Sequence, residues 1–585
     1  MKKRIISLLL AATMCLTAFS MTGCGSSSAG GDEHTYQIWM YQAQNTSYYM
    51  DYSDNPVLKY LLQKQWNDND LTLEFLVPAE GTAQDNWNTI LASGEFPTMM
   101  SDAVSDSPSI MYDNGYIMDI TDLVKENMPN YYQLVQENKK LHDKVCIDID
   151  GEDRIMEIAT VNEDVEYSWT GMVYRRDWIV EYGSNPETGE AFTGGYTDPA
   201  DPDSWEDNVI FPSGATDPLY ISDWEWMFDI FEKAMAAEGI EDGYCISMYY
   251  PGFTWAGGLS ACFGEGGIVW YLDEDDQVQF GGDSESTRAY FECLNNWYEK
   301  GWLDQNFDER VSDSFYMIDS ASYRLGKVGM WCGLESDLGN RIDNNDGGYA
   351  DGIYVAGCSW PINDIYGSDE CKGIEPRLMI VESDTVSTGY FAMTGADEKD
   401  LASLFTMLDY LYTDEGAVLK TIGLNAEQID ESGDTFYAEY KMADGAYTIG
   451  EDGRYKLCDA LVTDSGGLST ATNLDLLPGL HLVTSIDKGY AATYENSLKQ
   501  WTLYKNKGLV WGSTAMSKMN TEDNQTCSDA LTNVLNYMES NAYQFINGEW
   551  STDADGKDWK NWCSMIKRFD VDSTSKLIQT YVDAE

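Results

Sequence analysis

The start of this chain alternates strand patterns with helix patterns, and that order limits the folds it can adopt. Residues 35–41 alternate in polarity and are rich in aromatic side chains, as half-buried strands are. Residues 56–66 follow as a helical stretch that begins with proline, 71–77 as a second strand and 85–92 as a short helix. This order is typical of a sheet covered by helices, so the chain is predicted to have an α/β fold.

The length of the chain bounds the number of structural units. It has 585 residues, 43% of them hydrophobic, and only one long apolar run, at its N-terminus. Since one hydrophobic core rarely supports so many residues, we expect two large lobes or more. No repeat of fixed period is visible, which argues against a structural or adhesive surface protein.

The N-terminus has the pattern of an export signal. Residues 2–4 are basic and 5–19 are apolar, a run shorter than the ~20 residues that span a bilayer. The sequence Met-Thr-Gly-Cys at 21–24 resembles a bacterial lipobox, whose cysteine receives lipid and becomes the new N-terminus. The alternative is an ordinary cleaved signal in which Cys24 is incidental.

The lipobox resemblance divides the N-terminal region into two segments. Residues 1–23 are predicted to be a lipoprotein signal peptide. Residues 24–35 are predicted to be a flexible linker, because 25–31 contains only Gly, Ser and Ala. A lipid on Cys24 would then hold the protein at the extracellular face of a bacterial membrane.

The charge of the chain excludes some classes of partner. It has 36 Lys and Arg against 99 Asp and Glu, a net charge of -63. Such a negative field repels phosphate backbones, so nucleic acid is not an expected partner. It also makes a polyanionic ligand, such as a uronic acid polymer, less favourable.

The cysteines and acidic clusters do not indicate a metal site or a cofactor. Ten cysteines remain beyond Cys24, no two of them in a CxxC pair, and the chain has three histidines. The acidic segments 148–153, 273–276 and 343–346 do not match the twelve-residue calcium loop. Segment 273–276 lies between two strand-like stretches, so a hairpin turn is predicted there.

Six segments, in order, resemble motifs of the extracellular solute-binding proteins of ABC importers, in particular their large carbohydrate-type lipoproteins. They are LASGEFP at 91–97, GYIMDITDL at 115–123, MVYRRDWI at 172–179, LGKVGMW at 325–331, LDYLYTDEG at 408–416, and FINGE at 545–549 with the helical stretch 559–566. Each is weak alone, but their order makes the resemblance strong, and it spans the chain from near residue 36 to the C-terminus.

Two features depart from the family pattern. The segment 422–426, Ile-Gly-Leu-Asn-Ala, lacks the acidic residue of the family's usual G-x-E-G turn. Residues 185–223 form an insertion rich in Gly, Pro and Asp, which is either a lid or a surface loop.

The resemblance implies a periplasmic-binding-protein-like fold of two discontinuous α/β lobes joined by a hinge. Lobe one would comprise 36–165 plus 355–440, and lobe two 166–354 plus 441–585. Ligand would bind in the cleft between them, and closure would present both lobes to membrane permease subunits. The resemblance implies a monomeric receptor with no catalytic residues, cofactor or metal.

The composition favours a carbohydrate ligand, since 19 Trp, 39 Tyr and 18 Phe accompany many carboxylates and amides. Aromatic faces suit the apolar side of a sugar ring, and polar side chains suit its hydroxyls. The ligand-binding candidates lie where strands pass into loops or at positions that resemble the family's cleft. They are Tyr41, Gln42, Trp87, Ser101, Asp102, Trp169, Trp255, Trp331 and Glu335.

The sequence leaves other functions open. A binding protein for a peptide or another small solute is the main alternative. A surface glycoside hydrolase needs two facing carboxylates, and 99 acidic residues do not single out a pair. No G-x-S-x-G, P-loop or HExxH motif is present, so any ATP chemistry of transport belongs to a separate protein.

Overall fold

A computed structural model describes most of the chain. It covers residues 34–41, 48–66, 71–79, 82–164, 168–198, 204–249, 256–264, 268–273, 275–310, 318–338, 353–376, 385–396, 398–462, 467–487, 492–504 and 519–583.

The described strands form two main sheets, a small three-stranded sheet and three two-stranded sheets. They are β1 His34–Trp39, β2 Leu71–Leu76, β3 Met99–Ser101, β4 Cys146–Ile149, β5 Glu152–Ile155, β6 Glu157–Asn162, β7 Thr170–Arg175, β8 Gly194–Tyr196, β9 Trp205–Asp207, β10 Tyr244–Ile246, β11 Trp270–Leu272, β12 Val278–Phe280, β13 Val328–Leu334, β14 Val355–Cys358, β15 Val386–Ala392, β16 Tyr447–Ile449, β17 Tyr455–Leu457, β18 Leu480–His481 and β19 Ile486–Asp487.

Helices cover both main sheets. They are α1 Pro56–Leu61, α2 Ala83–Ser93, α3 Pro108–Asp113, α4 Thr121–Asn127, α5 Pro129–Glu137, α6 Lys139–Val145, α7 Arg176–Tyr182, α8 Ile221–Glu238, α9 Glu285–Glu299, α10 Ser320–Arg324, α11 Glu398–Tyr410, α12 Asp414–Thr421, α13 Ala426–Ser432, α14 Phe436–Glu439, α15 Asp459–Val462, α16 Leu468–Ala471, α17 Ala492–Trp501, α18 Thr521–Ile546, α19 Lys557–Ile566 and α20 Val571–Val582. A π-helical turn, Leu62–Trp66, continues α1.

The first lobe is built on a six-stranded sheet in the order β18-β6-β15-β3-β1-β2. All neighbouring pairs are parallel except those made by β15, which is antiparallel to β3 and β6. Successive side chains of β1 face opposite sides: Ile38 enters the larger core, and Trp39 packs on the other face with Trp87. This two-residue period is why the aromatic pattern predicted a strand correctly.

The second lobe is built on a four-stranded sheet in the order β10-β13-β7-β14. Strand β7 alternates in the same way, since Met172 and Tyr174 enter the main core while Val173 faces a smaller cluster. That smaller cluster contains Trp331 and Trp501. The C-terminal helices α18 to α20 also contribute to the main core of this lobe.

Two of the predicted lobe boundaries are wrong. Strand β14 pairs with β7, and Trp360 packs in the second core, so the return to the first lobe occurs between 376 and 385 rather than at 355. Leu461 and Leu482 pack in the first core, so the last change of lobe follows residue 487 rather than 440. Sequence motifs did not reveal either position, because both depend on which distant strand each segment joins.

The connecting segments lie side by side near the end of β6. The backbone N–H of Asn162 donates to the carbonyl of Thr385 at 2.8 Å. The Glu163 carboxylate accepts from the backbone N–H groups of Val483 and Ser485, each at 3.0 Å. The described residues at which the chain leaves or re-enters the first lobe, near 163, 385 and 485, are therefore adjacent, as the hinge of a two-lobed protein requires.

The insertion at 185–223 packs as part of the second lobe. The Trp205 ring stacks on Tyr354 with centroids 4.4 Å apart. The Asp207 carboxylate accepts two hydrogen bonds of 2.8 Å from the guanidinium of the buried Arg176. This paired contact fixes the position of both side chains. Phe211 lies in the main core. This packing fits a structural extension of the lobe better than a lid.

The cysteines act as buried apolar residues. Eight of the ten cysteines in the described ranges are buried, two are half-buried, and all ten are free thiols. In the same ranges, no helix combines the length and the apolar composition needed to cross a bilayer.

Candidate functional site

A pocket of about 280 Å³ opens at one edge of the six-stranded sheet. Its walls combine aromatic rings with hydroxyl, amide and ionisable groups. The aromatic and polar side chains are Tyr41, Ser101, Thr160, Asn162, Ser387, Thr388, Tyr390, Asp475 and His481. Such a lining offers flat apolar surface and hydrogen-bonding groups to one small polar ligand.

Strand directions explain why these side chains meet. Strands β1, β3, β6 and β18 run parallel, so their carboxyl ends share one edge of the sheet. Tyr41 lies two residues beyond β1, Ser101 ends β3, and His481 ends β18. Open α/β sheets bind ligands outside the carboxyl ends of their strands. The antiparallel β15 adds its first residues to the same edge, where its register shifts between Val386 and Gly389.

Among the described residues that line the pocket, Asp475 supplies the one carboxylate. Its Oδ1 lies 3.1 Å from His481 Nδ1 and 3.3 Å from Lys420 Nζ. Burial raises the pKa of Asp475, but Lys420 and His481 outweigh that effect and hold the pKa well below its ordinary value. The pocket therefore contains a carboxylate that stays ionised at neutral pH.

The segment that carries Asp475 is anchored to its surroundings. The Asn55 side-chain amide, fully buried, donates to the carbonyl of Asn473 at 2.7 Å. The Tyr390 hydroxyl donates to the carbonyl of Leu476 at 2.8 Å. Because both anchors lie within two residues of Asp475, the carboxylate is held in one position before a ligand arrives.

Asp102 lies beside the pocket and is occupied by other contacts. Its Oδ2 is 2.7 Å from Lys144 Nζ, and its Oδ1 accepts from the backbone N–H of Gly389 at 2.8 Å. Lys144 also contacts Glu157 at 2.6 Å. Burial raises the pKa of Glu157 to about 8; Lys144 opposes this rise and Asp102 adds to it. Asp102 thus belongs to a charge cluster around the buried Glu157, with both of its oxygens engaged.

Two tryptophans predicted to bind ligand are core residues. Trp87 is 2% exposed and packs edge-on against Trp39, with centroids 5.3 Å apart. Trp331 is fully buried inside β13 and stacks on Tyr323 at 4.8 Å. Strand β13 runs three residues further than its motif suggested, so Trp331 lies within the strand and not in the loop after it. Neither ring is accessible to a ligand.

Trp169 and Glu335 lie together on the second lobe, next to the first connecting segment. The backbone N–H of Glu335 donates to the carbonyl of Trp169 at 3.0 Å. Trp169 is 44% exposed, as is Tyr41 on the first lobe. The structure thus leaves these two rings accessible on different lobes, and ligand contact by Trp169 and Glu335 stays a prediction. Gln42, Trp255 and the lipid candidate Cys24 lie outside the described residues.

Sequence reasoning missed Asp475, His481, Thr160, Asn162 and Ser387. Their positions follow from the pairing of β18 with β6 and from the irregular start of β15, and both features depend on contacts between distant residues. The one available signal was the rarity of histidine, since His481 is one of three in the chain.

Two other cavities are less suited to a ligand. One of about 20 Å³, in the second lobe, is large enough for little more than a water molecule. A broader groove of about 540 Å³ is lined by helix α8 and by Lys300 and Trp302, so it does not lie at strand ends. Within the described ranges, no three His, Cys, Asp or Glu side chains converge as metal ligands would. Strands β11 and β12, which flank the acidic segment, pair antiparallel, so the predicted hairpin is confirmed.

No protein-family model and no curated protein matches this sequence. Solved structures do match it. An extracellular solute-binding protein from Bifidobacterium longum subsp. infantis is 14% identical, with a TM-score of 0.64 over 95% of this chain and 99% of that chain. An HMO-binding, ABC-transporter-associated solute-binding protein from the same subspecies is 13% identical, with a TM-score of 0.62 over 94% and 99% of the chains. The S. pneumoniae ABC-transporter substrate-binding protein FusA, in complex with kestose, is 13% identical, with a TM-score of 0.60 over 94% and 99%. The chain has the fold of these solute-binding proteins, and the predicted two-lobed α/β fold is confirmed.

Proposed function

We propose that this chain is a cell-surface lipoprotein receptor that binds an oligosaccharide and delivers it to an ABC permease. The observation that carries the proposal is the pocket at the strand ends of a full-length solute-binding-protein fold. Hydroxyl, amide and carboxylate groups around the exposed ring of Tyr41 are of the kinds that recognise sugars.

The fold neighbours favour a sugar over a peptide. One is described as HMO-binding and another was solved with kestose, and both are associated with ABC transporters. Their likeness to this chain covers nearly its whole length, so we extend to it the same separation between a binding protein and the transporter. This chain would capture the ligand, and separate permease and ATPase subunits would move it across the membrane.

The lobes would close on the ligand about the three connecting segments. We infer that Tyr41 and Ser101 contact it from the first lobe and that Trp169 and Glu335 contact it from the second. Closure would bury the ligand, and ligand binding would shift the equilibrium toward the closed form by its preference for that form.

The pocket supports ligand binding without catalysis. Glycoside hydrolysis uses two carboxyl groups on either side of the scissile bond, ~5–9.5 Å apart. The residues that line the pocket include one carboxylate, Asp475, and it is already paired with Lys420 and His481. Such a group can accept hydrogen bonds but lacks a partner acid among the lining residues.

The test is calorimetric titration of the full chain, kept in mild detergent, with pooled neutral oligosaccharides and with pooled tripeptides. We expect heat from the sugars and none from the peptides. Chromatography of the sugar pool after incubation should recover it unchanged. Binding of peptides alone would transfer the proposal to a peptide receptor, and loss of the sugars with new products would identify an enzyme.

A further inference from the structure

The two oxygens of the Asp475 carboxylate have different surroundings. Oδ1 faces His481 and Lys420, at the distances given above. In the part of the chain that the structure describes, no hydrogen bond engages Oδ2. The side chain is 39% exposed. The pocket therefore offers one ionised oxygen as an acceptor for a donor group on a ligand.

Lys420 holds this carboxylate from inside the protein. Its side chain is 0% exposed, and its Nζ donates to the backbone carbonyl of Asp475 at 3.0 Å. Gly479 lies against the aliphatic part of the lysine, where a Cβ atom would come 2.7 Å from Lys420 Cδ. A buried ammonium is costly unless it is paired, so Lys420 and Asp475 constrain each other. Because Lys420 is inaccessible, it cannot also serve as a partner for a ligand.

The rest of the lining carries little positive charge. Among the described residues, the lining contains no Lys or Arg, and the imidazole of His481 is engaged with Asp475. Nearby side chains of Thr160, Ser387 and Thr388 supply neutral hydroxyls. A ligand carboxylate would meet Asp475 without a free cation to neutralise it, whereas a ligand hydroxyl would find an acceptor.

We propose that Asp475 determines the specificity of this pocket: its Oδ2 accepts a hydrogen bond from a hydroxyl of an uncharged sugar unit, and its charge excludes sugar units that carry a carboxylate. Lys420 is the positioning residue that keeps the carboxylate oriented and ionised. This inference rests on the proposed function and adds the class of ligand.

The first experiment compares the wild-type full chain, in mild detergent, with Asp475→Asn by calorimetry. The probes are a pool of neutral fructo-, malto-, cello-, xylo- and manno-trisaccharides, and trigalacturonic acid. We expect the asparagine variant to bind the neutral pool at least ~10-fold more weakly, since it loses a charge-assisted hydrogen bond. The matched control is Asp444→Asn, an exposed carboxylate of the same lobe, which should bind as the wild type does.

The outcomes distinguish failure of the Asp475 inference from failure of the proposed receptor function. Equal affinity of wild type and Asp475→Asn for the neutral pool, with both proteins folded by circular dichroism, overturns the inference and leaves the receptor role standing. Wild-type binding of trigalacturonic acid as tight as that of the neutral pool also overturns it. A wild-type chain that binds peptides and no sugar overturns the proposed function as well.

A second variant, Lys420→Met, tests whether Lys420 positions the Asp475 carboxylate or only stabilises the fold. The titratable groups that face Asp475 are Lys420, His481, Tyr52 and Tyr390. With Lys420 in place, Asp475 stays ionised between about pH 7 and about pH 5, so sugar affinity should fall less on acidification in the wild type than in Lys420→Met. In Lys420→Met the pKa of Asp475 should rise, so affinity should fall on acidification. A flat profile in a folded Lys420→Met chain contradicts the positioning role.

Discussion

The charge cluster of Asp102, Lys144 and the buried Glu157 makes the stability of the first lobe depend on pH. One lysine neutralises one carboxylate, and Glu157 is only 1% exposed, so water does little to stabilise a second negative charge. This burial is the main reason that the Glu157 pKa rises to about 8, against 4.5 for an ordinary glutamate. The informative change is Glu157→Gln, which keeps the size of the side chain and removes its titration.

Proton linkage determines whether stability rises or falls with pH. A carboxyl whose pKa is higher in the folded than in the unfolded chain binds its proton more tightly when folded. Its contribution to stability is therefore complete below about pH 4.5 and is lost as the pH rises toward about 8. Within that window the slope approaches ~1.4 kcal/mol per pH unit, so the loss between about pH 5 and about pH 8 is on the order of 4 kcal/mol.

The assay is urea unfolding of the full chain at several pH values across that window, followed by tryptophan fluorescence. We expect the first-lobe transition of the wild type to weaken steadily with rising pH, and that of Glu157→Gln to be flatter. Glu152→Gln is the matched control, because that side chain is 70% exposed and should not alter the slope. Parallel pH profiles for wild type and Glu157→Gln would refute the reasoning.

Two further predictions concern the anchor and the extension of the second lobe. Cys24→Ser should abolish incorporation of radiolabelled palmitate in a bacterial host and release the protein from the membrane fraction; unchanged labelling would contradict the lipobox assignment. Asp223→Ala should destabilise the protein by ~2–4 kcal/mol in thermal unfolding, since the fully buried carboxylate accepts from the backbone N–H groups of Ser213 and Leu219. The exposed Asp229→Ala on the same helix should have little effect, and equal losses would contradict this account.

Local pattern was a good guide to the elements and to the overall fold. Strands β1 and β2, helix α2 and the hairpin of β11 and β12 lie within a few residues of their predicted positions. Each depends on a short-range property, such as polarity alternation, a proline at a helix start or a turn-forming acidic run. Six weak motifs in order were enough to predict the two-lobed architecture.

The candidate site was harder to predict, because the same residue types serve in cores and in clefts. Trp87 and Trp331 are buried in a helix and a strand, whereas Trp169 lies just before β7 and is 44% exposed, and sequence position did not reveal this difference. Asp102 was placed at the correct strand end, but its partner Lys144 lies 42 residues away. Asp475 and Lys420 are 55 residues apart, so neither suggested the other.

The pairing of β18 with β6 has a consequence for biogenesis. Val161 lies opposite Leu480, so the edge of the first sheet joins segments separated by roughly 320 residues. Contacts this distant give a high contact order, which slows folding because the intervening chain must be closed into a loop first. A chain made from its N-terminus onward therefore cannot complete this sheet until residue 481 has emerged. Until residue 481 has been made, the polypeptide therefore has no finished lobe, and the second lobe cannot be completed until α20 has also emerged.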